Sequence, residues 1–253
     1  MIRQAILLAG WLLALVVAAM LLTEGCGTPD RVARRTPVDP AVIPPGKIVN
    51  FSFLYARNCA GCHGSDGEGG AAIALGDPIY LDLADDATIR RVTANGVPGT
   101  AMPAFSRSSG GMLTDDQINV IVGGIRIRWA KPDALRNVEP PPYAAQGSGD
   151  PKRGADVYSV YCSSCHGADG RGGDRASSIV DGTYLALVSD QYLRTTVIVG
   201  RPEMGAPDWR NDVRGKPMSP GDVSDVVAWL TAQRPQFPGQ PFSTELQFRG
   251  GVR

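Results

Sequence analysis

The 253-residue chain carries 25 Lys and Arg against 25 Asp and Glu, so its formal net charge is zero. That balance excludes nucleic acid as a partner, because phosphate binding needs a concentrated basic excess. The charges read as a solvated mixed surface, and the length allows one or two domains.

Arg3 precedes an uncharged run from Ala5 to Leu22, long for a cleaved signal and just long enough to span a bilayer. The run ends in Leu22-Thr23-Glu24-Gly25-Cys26, which resembles a bacterial lipoprotein signal whose thiol is acylated after cleavage. Thr23 and Glu24 depart from that pattern, yet Cys26 is the fifth, odd cysteine and stands where a lipid would be attached. Residues 1–26 are therefore read as a signal peptide or anchor, through lipid at Cys26 or through an uncleaved helix. Residues 27–46, rich in Pro and charge without apolar period, read as a tether.

Lys47 to Asn58 shows the apolar spacing of a helix at Ile48, Phe51, Phe53, Leu54 and Tyr55. It runs into Cys59-Ala60-Gly61-Cys62-His63, a C-x-x-C-H motif. Two thiols with an adjacent imidazole are the arrangement that attaches haem covalently and binds its iron. A Gly-rich segment follows, Asp85-Asp86 opens a helix through Arg91, and Thr114-Asp115-Asp116-Gln117 is a capping box starting a helix to about Trp129. Residues 132–149, with Pro140-Pro141-Pro142 and Gly147-Ser148-Gly149, read as a partly stiff linker.

The same order then returns. A helix over Lys152 to Tyr161 leads into Cys162-Ser163-Ser164-Cys165-His166, a helix runs from Ser189-Asp190 to Val199, and another from Ser219 to Gln233. The glycines after the motifs match at the spacing from His63 to His166, and Tyr80-Leu81 matches Tyr184-Leu185 one residue further on. This is an internal duplication, with units at 47–131 and 150–234. His63 and His166 are the chain's two histidines, and both complete such a motif. Two covalently bound haem c groups are expected. The tail, 235–253, mixes Pro with aromatic residues and reads as a strap over the second unit or a docking segment.

The sequence of elements, together with both attachment motifs, resembles the class I cytochrome c family. The resemblance implies an all-α chain of two tandem cytochrome c domains. It also implies that the first and last helices of each domain cross with a Gly against an aromatic residue: Phe51 against Gly124, and Gly154 against Trp229. A Met thioether is the family's usual second axial ligand. Met102, in Thr100-Ala101-Met102-Pro103, fits that loop, while nearby Met112 reads as a packing residue. In the second domain Ala206 falls on the position of Met102. Met204, two residues earlier, is preferred as the substitute ligand over Met218, which has an ordinary role beside a helix cap; an open iron is the third reading.

The leading function is a dihaem carrier of single electrons between a quinol-oxidising complex and a terminal acceptor. Its expected partners are the membrane and other electron-transfer proteins or complex subunits, at the outer, periplasmic face of a bacterial cytoplasmic membrane. The alternative is a dihaem enzyme, a peroxidase or small-substrate dehydrogenase, with an exchangeable site at the second haem. Ala206 motivates it; the lack of a further histidine to act as acid or base speaks against it. A gas-sensing or structural haem protein would need an output domain for which the chain has no room.

Overall fold

The computed structural model describes residues 42–135, 138–211, 213 and 215–235. The apolar leader with Cys26, most of the tether and the Pro-rich tail lie outside the described residues. Two successive sets of helices form: α1 Phe51–Asn58, α2 Ala60–His63, α3 Pro78–Leu83, α4 Asp86–Asn95 and α5 Asp115–Trp129. The second set is α6 Pro151–Tyr161, α7 Ser163–His166, α8 Gly182–Leu187, α9 Asp190–Val199 and α10 Pro220–Thr231. Among the described residues only isolated bridges occur, so the fold is all-α, two tandem repeats of one order.

Capping explains where the helices start. Asp85 accepts from Thr88 N and Ser189 from Tyr192 N, while Thr114 with Gln117 and Ser219 with Asp222 form complete capping boxes. α4 runs on to Asn95 rather than ending at Arg91, because the stop is Gly96, whose φ of 64° a side chain would resist. α10 ends at Thr231, two residues short of the expected Gln233. α3 and α8 carried no periodic signal; each is a six-residue helix begun by an aspartate, Asp77 or Asp181, that accepts two backbone N–H groups.

An eight-residue helix such as α1 is unstable alone, so the crossing with α5 must hold it. Leu54 and Tyr55 are buried there with Ile118, Ile121, Val122 and Ile125, each such side chain contributing roughly 2 kcal/mol. Close approach depends on the expected glycines. A Cβ on Gly124 would lie 2.1 Å from the Phe51 ring, and one on Gly154 would lie 2.0 Å from the Asp225 carbonyl oxygen and 2.7 Å from Trp229 Cβ. The aromatic partner also differs between repeats. Trp229 stacks on Tyr158 at 4.2 Å, whereas in the first repeat Trp129 meets Tyr55 edge-on at 5.0 Å. In the register set by the two capping boxes Trp229 matches Gly124, and Trp129 lies five residues further along α5.

A second contact has moved in the same way. Arg126 on α5 donates to the carbonyls of Leu81 and Ala84 at the end of α3 and pairs with Asp86. Arg234, past the end of α10, donates to Leu185 O and Val188 O at the end of α8 and pairs with Asp190. Each guanidinium satisfies carbonyls that a helix end leaves open.

The repeats pack on one another. Ile79 and Leu83 of α3 touch both cores, and Tyr192 and Val199 of α9 join the core of the first repeat. The linker between them is pinned: Gln191 Nε2 donates to Tyr143 O at 2.8 Å, and buried Arg194 donates to Pro142 O, Tyr143 O and Ser224 Oγ.

Candidate functional site

Each C-x-x-C-H motif is wound onto one turn of helix continuing from the helix before it. Cys59 N donates to Tyr55 O and His63 N to Cys59 O; Cys162 N donates to Tyr158 O and His166 N to Cys162 O. The two thiols and the imidazole thus project from a single turn. Gly64 and Gly167, at φ 83° and 78°, reverse the chain directly after each histidine. Tyr55 and Tyr158 donate their hydroxyls to the carbonyls of these two glycines and tie the reversal to the preceding helix.

The returning loop then orients the imidazole. Gly69 N donates to His63 O and Ala72 N to Cys62 O, which places the Ile73 carbonyl 2.7 Å from His63 Nδ1. In the second repeat Gly172 N donates to His166 O and the Ser177 carbonyl lies 2.8 Å from His166 Nδ1. A carbonyl can only accept, so the proton sits on Nδ1 and the Nε2 lone pair is free to bind a metal. Burial also holds the His63 pKa below its usual value, against the opposing Ile73 carbonyl, which keeps the ring neutral. No disulfide joins any of the four motif cysteines, so all four sulfurs are available for attachment; before attachment, burial, then the neighbouring Cys62, pushes the Cys59 thiol up to about 12, and burial, then Cys165, pushes Cys162 up to about 11. Paired thiols beside an imidazole with a fixed tautomer are the donor set that haem c requires, and the residues fit that group at both places.

The loops after α4 and α9 differ in what they offer. Val97 N donates to Met102 O, and Arg201 N donates to Ala206 O, both at 3.0 Å. A Cβ on Gly96 would lie 2.6 Å from Pro103 C, and one on Gly200 2.6 Å from Pro207 C. Ala206 therefore holds the backbone position of Met102, as the sequence spacing predicts. The second loop is closed further, because Ala206 N also donates back to Arg201 O. Met204 rides at the tip of this hairpin, in the turn Pro202–Met204, with 70% of its surface exposed. Met218 donates its N–H to Trp209 O as Leu113 does to Phe105 O, both at 2.8 Å, and both side chains are 6% exposed. Met218 thus takes the core place of Leu113. Met112, expected to pack, is 82% exposed.

Both loops face the other repeat. Ala206, Pro207 and Asp208 line a cavity of about 380 Å³ together with Asp77 and Ile79 of the first repeat. Pro98, Gly99 and Thr100 line another with Leu185, Asp190 and Arg234 of the second. The carbonyls of Ile73 and Ser177 and the hydroxyls of Tyr55 and Tyr158 belong to the site and were not anticipated. Backbone acceptors leave no mark in the sequence, though the tyrosines recur at the same place before each motif.

Residues 52–123 and 149–230 match the family described as "Cytochrome C oxidase, cbb3-type, subunit III". The chain is 25% identical over 224 residues to the "Cytochrome bc1 complex cytochrome c subunit" of Mycobacterium bovis, covering 87% of this chain and 73% of that protein. It is 30% identical over 143 residues to the "Cbb3-type cytochrome c oxidase subunit FixP" of Sinorhizobium medicae, covering 52% of this chain and 44% of that one. Among solved structures, the Kuenenia stuttgartiensis reducing HAO-like protein complex is similar at a TM-score of 0.45 and 18% identity, over 73% of this chain and 95% of that one. With the motifs wound as described and the match extending over both repeats, the chain belongs to the cbb3-type cytochrome c oxidase subunit III family of c-type cytochromes.

Proposed function

We propose that the protein carries two covalently bound haem c groups and passes single electrons from quinol oxidation to a terminal acceptor as a subunit of a membrane electron-transfer complex. The observation that carries this reading is the repeated motif with its imidazole held, at both places, by an Nδ1 contact to a backbone carbonyl. When bound, haem supplies one-electron Fe(III)/Fe(II) exchange. The chain's own part is to attach it through Cys59 and Cys62, or Cys162 and Cys165, and to present Nε2 of His63 or His166. Relatives whose names place them in a bc1 complex and a cbb3-type oxidase support the complex and the acceptor side.

Met102 completes the first site. At the second, Met204 is the assigned partner of His166, with Met218 as the alternative. The leader holds the protein at the periplasmic face, by lipid on Cys26 or by its apolar run. The placement of Ala206 favours one other reading, a second haem with an exchangeable position and enzymatic activity toward a small substrate. Haem-stained denaturing electrophoresis and intact mass should give two haems per chain, and mild detergent should release the protein together with partner subunits. A mass with one haem or none overturns the proposal; ready binding of carbon monoxide at one haem favours the enzymatic reading.

A further inference from the structure

The hairpin that stands where a Met loop would be in the second repeat reaches across to the first. Arg201 Nη2 donates to Gly70 O at 2.6 Å, 131 residues away in sequence, and its Nη1 lies 3.4 Å from the Tyr192 hydroxyl. Its Nε is paired with Glu203 Oε1, the two side chains being 13% and 25% exposed. Glu203 itself reaches Gly69: a Cβ there would lie 2.9 Å from its Oε1. The carboxylate of Asp77 in the first repeat feels both Glu203 and Asp208 across the junction, and Asp208 is bound by Arg210.

Gly69 and Gly70 belong to the loop that orients His63. Gly69 N holds His63 O, Gly70 N donates to Ala72 O, Ala72 N holds Cys62 O, and the loop delivers the carbonyl that accepts from His63 Nδ1. A half-buried ion pair of one repeat is therefore seated on the ligand loop of the other. The arrangement is not reciprocal. By the backbone pairing of the two loops, the residue standing where Arg201 stands is Val97, which has no charge to offer the loop around His166.

We infer that the Arg201–Glu203 pair is a cross-repeat tuning device: positioning residues on the second repeat that set the reduction potential of the first haem. The inference rests on the proposed attachment of that haem at Cys59, Cys62 and His63. Ferric haem carries one more positive charge than ferrous haem. A nearby cation therefore favours reduction and a nearby carboxylate favours oxidation, most strongly where water is partly excluded. The two members of the pair must then act with opposite signs.

The test is a spectroelectrochemical titration of the intact protein, with the first haem's step assigned as the one displaced in Met102→His. Arg201→Met should lower that potential and Glu203→Gln should raise it. The double variant should return close to the parent, and Arg201→Lys should keep most of the parent value. The second haem's step should move less in every case. Shifts of the same sign in both single variants would mean that the loop had merely loosened, and would overturn the inference, as would no shift. If Arg201→Met fails to mature, Glu203→Gln and Arg201→Lys decide by the same signs. Pyridine haemochrome analysis and intact mass of each variant separate the layers: fewer than two haems in the parent refutes the underlying reading, whereas two haems without opposed shifts refutes only the tuning.

Discussion

A thioether and a methyl group stand at the same backbone position in the two repeats, and the chemistry open to each proposed haem iron would follow from that difference. Met102 is half-buried in a loop in which Val97 N donates to Met102 O and Thr100 N to Val97 O, and its thioether is the donor we assign to the proposed first haem. Ala206 has no donor, Met204 is carried toward solvent on a closed hairpin, and Met218 is already packed among Tyr158, Trp209 and Val223. Met102→Ala is expected to abolish the ferric sulfur-to-iron charge-transfer band of the first haem and lower its potential, leaving the second unchanged. At the second haem the same loss should follow Met204→Ala. Its appearance only in Met218→Ala would transfer the assignment to the core methionine. Such a change should cost stability as well, about 2–5 kcal/mol for a buried methionine cut to alanine. The attachment residues were legible in the sequence because the motif is contiguous. Arg201 was not, because its partner is a backbone carbonyl in the other repeat and glycine carries no sign that its oxygen is used.

Neighbouring glycines on α5 separate helix propensity from packing. An ideal Cβ on Gly123 meets nothing within 4 Å, while one on Gly124 overlaps the Phe51 ring. Gly123→Ala should therefore stabilise the protein by up to about 1 kcal/mol, the gain in helix propensity. Gly124→Ala gains the same propensity but forces the crossing apart, and overpacking of this kind costs roughly 1–3 kcal/mol or more. Gly154→Ala should be the worst, since its Cβ meets a backbone oxygen that no rotamer change can move. Thermal unfolding of the haem-loaded variants checks the order, and equal effects at Gly123 and Gly124 would contradict it. The long helices were legible from caps and apolar spacing, and the crossing from one Gly and one aromatic in each repeat. α3 and α8 were not, because six residues make fewer than two turns and show no period. Their aspartate caps and following Tyr-Leu pairs were the available signal.

At the scale of the molecule, the stretch between the repeats looks from its Pro and Gly content like a partly stiff spacer, yet its middle is part of the junction. Tyr143 packs on the first core while Arg194 and Gln191 of the second repeat hold the carbonyls of Pro142 and Tyr143. Arg194 is 3% exposed and burial lowers its pKa, a cost accepted only where the guanidinium has partners to satisfy it. Limited proteolysis should thus spare residues 138–145 in the native protein. In Arg194→Met, cleavage there should accelerate while both haem spectra persist; unchanged protection would show that the apolar contacts of Tyr143 suffice. The pinning was invisible in the sequence because every acceptor that the linker offers is a main-chain oxygen. The loops of Met102 and Ala206 each face the other repeat beside this pinned junction.

The arginine that closes the end of α3 lies inside α5, whereas the one that closes the end of α8 lies three residues past the last residue of α10. The interchangeable part of this duplicated protein is consequently longer than the helix it contains. A chimera built by exchanging the terminal helices at their visible boundaries would leave the second scaffold with two guanidinium groups competing for one helix end. It would leave the first with none. Only a graft carried through Arg234 transfers a self-sufficient unit, so the modularity of the chain is a property of contacts and not of aligned segments.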